Sequence, residues 1–169
     1  MARLLNIREN TTKVSVDTPD GPVEIVRSKN DMQLIDGFLQ PITPVPGIVP
    51  VAELEVLDAL NDPEFVVVDM RDPEWRRRGT IPGSVAMPFR EVVHRLDELG
   101  CIRRGSGWDC SGANKIVAFC NGPACPQSSI AIRAMVGEGF PPENIHYYRG
   151  GMQDWIVLGL TTAAVPAVG

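Results

Sequence analysis

The chain has 169 residues and 18.4 kDa, with 16 Lys+Arg against 21 Asp+Glu and a formal net charge of −5. Its hydrophobic share of 44% and charged share of 22% are ordinary for a packed domain and exclude disorder as the main state. No apolar run reaches membrane-spanning length and the only basic cluster is Arg76-Arg77-Arg78, so neither a membrane nor nucleic acid is expected as a partner.

The start, MARLLNIRENTTK, returns to charge after Leu4-Leu5 and lacks a secretory h-region, which implies the cytoplasm, or the periplasm if a signal was removed before residue 1. Residues 13–27 alternate Val14, Val16, Val23 and Ile25 around Pro19-Asp20-Gly21, the pattern of a β-hairpin. The four prolines of PITPVPGIVP (41–50) predict an extended connector. AELEVLDAL (52–60) has helical spacing and stops at Asn61-Asp62-Pro63, and FVVVD (65–69) is a β-branched run suited to a strand buried on both faces. A charged loop containing Trp75 and Arg76–Arg78 follows, for which a solvated face is the expectation. GTIPGSVAMPF (79–89) predicts a short strand around Ser84–Met87, and REVVHRLDEL (90–99) an amphipathic helix with Val93, Leu96 and Leu99 on one side. KIVAFC (115–120) is a buried strand, QSSIAIRAMVGEG (127–139) a helix, NIHYYRG (144–150) a strand and GMQDWIVLG (151–159) a last helical turn or two, before a tail expected to fray. Strands alternating with short helices predict an α/β domain, mainly parallel, with helices on both sheet faces. The division expected is an N-terminal extension over 1–49, the α/β domain over 50–160 and a tail over 161–169.

Four cysteines, Cys101, Cys110, Cys120 and Cys125, lie close together. Their spacings do not match the C-x2-4-C pairs of zinc sites, and His94 and His146 stand elsewhere with structural roles expected, so no metal is called for. A domain of this size needs no disulfide staple, and Cys101 and Cys110, flanking a Gly-rich loop, read as incidental. Cys120 is different. It ends a buried strand, and the loop Asn121-Gly122-Pro123-Ala124-Cys125-Pro126-Gln127 delivers the chain to a helix beginning near Ser128. In parallel sheets reactive groups collect at such junctions, and the helix N-terminus with its unpaired N–H groups favours a thiolate, so a Cys120 pKa below the free value of about 8.5 is expected. Those N–H groups also form a nest for an anion carried on the sulfur. For Cys125 three readings stay open: loop filler, resolving thiol, or partner in a reversible disulfide.

FVVVDMRDPEW, GTIPGSVAMPF, the Cys120 loop entering its helix, and YRGGMQDW with Gly150-Gly151 and Trp155 together resemble the rhodanese family, in that family's order. The resemblance implies a five-stranded parallel sheet and transfer of sulfane sulfur through a Cys persulfide. It places the nucleophile at Cys120, the substrate cradle on residues 121–128 (Asn121, Gly122, Pro123, Ala124, Cys125, Gln127 and Ser128 among them) and structural support on Asp69 and Arg71, an ion pair tying strand end to loop. Thr80 stands where the family usually has His, and no Lys or Arg lies between Asn121 and Ser129. Arg71 or Arg149, or inward-pointing Ser128 and Ser129 hydroxyls, would then have to assist in holding thiosulfate.

The function expected is therefore a sulfurtransferase that takes sulfur from thiosulfate or a persulfide and gives it to a thiol, cyanide or a protein acceptor, without metal or organic cofactor. The alternative is a non-enzymatic redox- or sulfide-sensing module using Cys120 and Cys125. A phosphatase of the same fold would need Arg where Pro126 stands.

Overall fold

A computed structural model describes residues 13–26 and 39–164. The remainder of the expected N-terminal extension (1–12 and 27–38) and the end of the expected tail (165–169) lie outside the described residues. Strands β1 (Lys13–Thr18) and β2 (Gly21–Val26) pair antiparallel with Val14 opposite Ile25, so the alternation and the Pro19-Asp20 turn do produce a hairpin.

The main sheet is built from β3 (Val49–Pro50), β4 (Phe65–Asp69), β5 (Val85–Ala86), β8 (Lys115–Phe119) and β9 (Ile145–Tyr148), in the spatial order β3-β9-β8-β4-β5. All four pairings are parallel. The Pro-rich connector thus ends as a strand, but at the sheet edge, where a missing N–H costs no ladder bond. Between β5 and β8, a small antiparallel hairpin is formed by β6 (Ile102–Arg104) and β7 (Gly107–Asp109).

Alternation along β8 divides the core in two. Val117 and Phe119 face helices α1 (Glu53–Leu60) and α4 (Gly151–Val157), packing with Val56, Ala59, Met152 and Trp155. Ile116 and Ala118 face α3 (Gln127–Gly137), packing with Ala131, Ile132, Met135, Leu96 and Leu99. Helices therefore cover both faces. Each fully buried large apolar side chain contributes about 1.5–3 kcal/mol, and β8, buried on both sides, is the strand around which both clusters form.

Three local expectations are corrected. Residues 73–77 form a short helix, α2 (Pro73–Arg77), rather than a loop: Asp72 is its N-cap, Pro73 its first residue and Glu74 lies in its first turn, a start signal present in the sequence. Residues 90–99 form two 3₁₀ segments, Val92–His94 and Leu96–Leu99, rather than one α-helix. Arg95, at φ −125° and ψ 24°, interrupts the ladder while its guanidinium holds Glu91, Glu98 and the Ala86 carbonyl; adjacent β-branched Val92 and Val93 favour α-helix weakly. Val92, with Leu96 and Leu99, is the fully buried residue there, and Val93 packs at the margin.

Cys101 and Cys110 are not incidental. They form a disulfide closing the β6–β7 hairpin, and both are buried in the larger core cluster. Closing a loop of this size removes about 2.5 kcal/mol of chain entropy from the unfolded state.

Candidate active site

Register brings the site together. Asp69, the last residue of β4, lies level with Phe119, the last of β8, so Asp69 and Arg71 stand beside Cys120 at the C-terminal edge of the sheet. The loop after Cys120 is pinned from three sides. At the N-terminus of α4, the Met152 and Gln153 N–H groups donate to the carbonyls of Cys120 (3.0 Å) and Asn121 (2.9 Å). This close approach is why Gly151 is glycine: its φ is +56°, and a Cβ there would run into the Cys120 carbonyl. Opposite, the Gln40 N–H donates to the Pro123 carbonyl at 2.7 Å, and Arg149 holds the Gln40 carbonyl at 3.0 Å. On the third side, Gln127 donates to Asp72 Oδ2 at 2.8 Å. Gly122 packs under Gln153, and Ala124 continues a tight turn in which the Cys125 N–H donates to the Gly122 carbonyl at 2.9 Å.

Cys120 is 1% exposed. The Ser128 hydroxyl donates to its Sγ at 3.0 Å, and its own S–H faces the Cys125 carbonyl at 3.3 Å. Ser128 is therefore the inward-pointing serine; Ser129 turns away, its Oγ 3.3 Å from the Tyr147 hydroxyl. The Cys125 thiol lies 4.0 Å from Gln127 Oε1, and the backbone amides at the start of α3 act electrostatically on both sulfurs, Ser128 on Cys120 and Gln127 on Cys125.

The charge consequently settles on the other sulfur from the one the sequence suggested. Burial, with the hydrogen-bonded Cys125 beside it, pushes the Cys120 thiol well above the ordinary thiol range, against the opposing pull of Ser128. Cys125 drops to about 6, chiefly through the hydrogen bond from Cys120, with the Asn121 and Gln127 amides and the Arg71 charge adding to it against burial. The expectation of a lowered Cys120 pKa is corrected: the helix N-terminus does stabilise a thiolate, but burial of Cys120 leaves Cys125 to hold it. Iodoacetamide should accordingly label half-buried Cys125 first. A folded pKa below that of a free thiol means the reactive anion appears at lower pH, so the rate should rise through about pH 6 and be flat by roughly 7.5. Faster labelling of Cys120, or a midpoint near the free-thiol value, would overturn the assignment of the charge.

Beneath the thiols lies a buried ionic knot. Asp69 Oδ1 accepts from Arg71 Nε at 2.9 Å and the Arg71 N–H at 3.1 Å; Oδ2 accepts from Arg71 Nη2 (2.7 Å), the Thr80 hydroxyl (2.7 Å) and Arg76 Nη1 (3.3 Å). Arg71 Nη1 reaches Asn121 Oδ1 at 3.2 Å, linking the knot to the loop. Arg76, expected on a solvated face, is instead largely buried, its side chain 16% exposed, and also donates to Thr80, Ser84 Oγ and the Ser84 carbonyl. Sequence reasoning missed Arg76 and Ser84. The signal was present: a helix starting at Asp72-Pro73 places Arg76 one turn along, back toward the strand end. Trp75 is exposed, with Arg78 over its ring at 4.8 Å.

A family model described as Rhodanese-like domain matches residues 53–157. Among curated proteins, an HTH-type transcriptional regulator of Mycobacterium tuberculosis is 29% identical over 110 residues, covering 65% of this chain and 42% of the regulator. The chain thus spans less than half the length of that relative. Among solved structures, a thiosulfate sulfurtransferase from Pseudomonas aeruginosa matches with a TM-score of 0.54 at 23% identity, over 72% of this chain and 22% of the other. A rhodanese-related protein from Thermoplasma volcanium matches with a TM-score of 0.51 at 20% identity, over 69% and 99%. At such identities the structural likeness is one of fold.

Proposed function

Because this chain belongs to the rhodanese-like domain family, we propose that it is a sulfurtransferase carrying sulfane sulfur on Cys120. The observation that carries the reading is the placement of Cys120 at the C-terminal end of the central strand, its Sγ held by the Ser128 hydroxyl at 3.0 Å under the first turn of α3. In the resting pair Cys120 keeps its proton and Cys125 is the anion, so Cys125 acts first as base. It takes the Cys120 proton, and the Cys120 thiolate attacks the outer sulfur of the donor. The donor's S–S bond breaks, releasing sulfite from thiosulfate or a thiolate from a persulfide. Cyanide or an acceptor thiolate then removes the outer sulfur and returns Cys120 to the thiolate, in a ping-pong cycle.

The loop itself supplies no cation. Arg71 reaches the loop at Asn121 Oδ1, but Asp69 neutralises it and the Gly79 carbonyl holds Nη2 at 2.7 Å. A dianionic donor gains less from neutral amides than from a free guanidinium, so persulfide donors fit the site better than thiosulfate. The domain carrying this activity is taken as residues 50–160. The Cys101–Cys110 disulfide belongs to an oxidising environment and favours the exported alternative over the cytoplasm.

The test is sulfur loading. Incubation with glutathione persulfide or thiosulfate, followed by peptide mapping of a Cys125→Ser variant, should find an added mass of about 32 Da, one sulfur, on the Cys120 peptide. Failure of both donors to load, in protein whose thiols are shown to be reduced, would overturn the proposal.

A further inference from the structure

The cradle that the sequence assigned to a bound anion is shared with a second sulfur: the Asn121 and Gln127 amides, which would receive the outer sulfur of a Cys120 persulfide, also help to hold the Cys125 thiol below its ordinary range. The Cys125 backbone closes over Cys120, its carbonyl 3.3 Å from Cys120 Sγ. An outer sulfur on Cys120 therefore has to project away from Cys125. Both cysteines are free, and that carbonyl contact keeps residue 125 against Cys120, so a thiolate at 125 is the neighbouring nucleophile for the inner sulfur of the persulfide.

Resting on the sulfurtransferase reading above, we propose that this site also discharges its sulfur internally: Cys125 displaces the outer sulfur of the Cys120 persulfide as hydrosulfide, leaving a Cys120–Cys125 disulfide. The step balances. The Cys125 thiolate forms a bond to Cys120 Sγ, the Sγ–S bond of the persulfide breaks, and its electron pair and proton leave together as HS⁻. The sulfane sulfur is reduced to sulfide while the two cysteines are oxidised to the disulfide. An external dithiol then reopens the pair by thiol–disulfide exchange, itself becoming a disulfide. The net reaction is reductive release of sulfide from a persulfide at the expense of a dithiol, and in the dithiol's absence the enzyme stops after one turnover. Cys125 is in this scheme a regulator of the site as well as a participant, since the disulfide holds Cys120 inactive until a reductant arrives.

The experiment compares wild type with Cys125→Ser and Cys125→Ala, each reduced, loaded to completion with glutathione persulfide under anaerobic conditions, and freed of donor. Two variants are used because residue 125 packs against the loop. In wild type the expected result is a mass about 2 Da below the reduced protein, one equivalent of sulfide, and a Cys120–Cys125 link in the peptide map with Cys101–Cys110 unchanged. In both variants the added sulfur should remain on Cys120, with a half-life about 100-fold longer than in wild type or more, as expected when a preorganised neighbouring nucleophile is removed. Wild type that keeps its persulfide as long as the variants do overturns the internal discharge and leaves the sulfurtransferase reading standing. Absence of loading in all three proteins overturns the sulfurtransferase reading, and this inference with it.

Discussion

Replacing Cys120 by serine is expected to lower kcat/KM for sulfur transfer by four orders of magnitude or more, roughly the scale on which removal of a covalent nucleophile acts. The hydroxyl preserves the hydrogen bond to Ser128 and nearly the volume of the thiol, so the fold should be unaffected and thermal unfolding should match wild type. What is lost is the S–S bond itself, which an alcohol cannot form with a sulfur donor under these conditions. Cys125→Ser should act differently: it removes the neighbouring base, whose contribution is about 10²–10⁴-fold, and leaves the carrier in place. Steady-state rates of thiocyanate formation from cyanide, with each donor in turn and a dithiol present to keep Cys120 and Cys125 reduced, separate the two. If Cys120→Ser kept more activity than Cys125→Ser, the assignment of carrier and base would have to be exchanged.

The second large effect concerns the knot under the site. Asp69→Ala leaves the buried guanidinium of Arg71 and the largely buried one of Arg76 without their shared counter-charge. Breaking a buried pair by removing one partner costs about 3–5 kcal/mol, because the remaining charge stays desolvated. For a chain of this size that corresponds to a fall in Tm of roughly 10 °C. Arg76→Ala should also destabilise, by leaving Thr80, Ser84 and Asp69 with unmet hydrogen bonds, whereas Arg77→Ala, one position along on the exposed side of α2, should change stability by no more than about 0.5 kcal/mol. Urea unfolding of the three variants decides it. An Arg76→Ala cost no greater than that of Arg77→Ala would show that the guanidinium contributes nothing to the fold.

Much of the architecture was legible because its signals are local. FVVVD and KIVAFC are continuous apolar runs, and Pro19-Asp20-Gly21 is a turn in its own right. What stayed hidden depends on neighbours distant in sequence. The short strand Val49–Pro50 exists because β9 lies alongside it, and four prolines conceal it. Cys101 and Cys110 pair because the β6–β7 hairpin folds them together, which spacing alone does not disclose. Arg76 looked solvated because a run of three arginines does, and only the turn of α2 shows that the first of them points at Asp69. At the site, the sequence located the thiol at the junction but could not apportion the proton between two sulfurs. That division rests on the burial of Cys120 and on which amides act on Cys125, both properties of the closed loop.

The parallel pairing of β3 with β9 joins residues roughly a hundred positions apart, Val49 beside His146. A ribosome has to deliver nearly the whole domain before that edge can close. Until then β8 has β4 to pair with but not β9, and the loop after Cys120 lacks both the Gln40–Arg149 brace and the α4 amides that hold it down. A growing chain therefore exposes two free thiols on an unfinished sheet, at the stage when pairing with the wrong cysteine is easiest. The nearby Cys101–Cys110 pair needs only its own hairpin to meet, so its pairing depends on neither β9 nor α4, whereas Cys120 and Cys125 are caged only when both are in place.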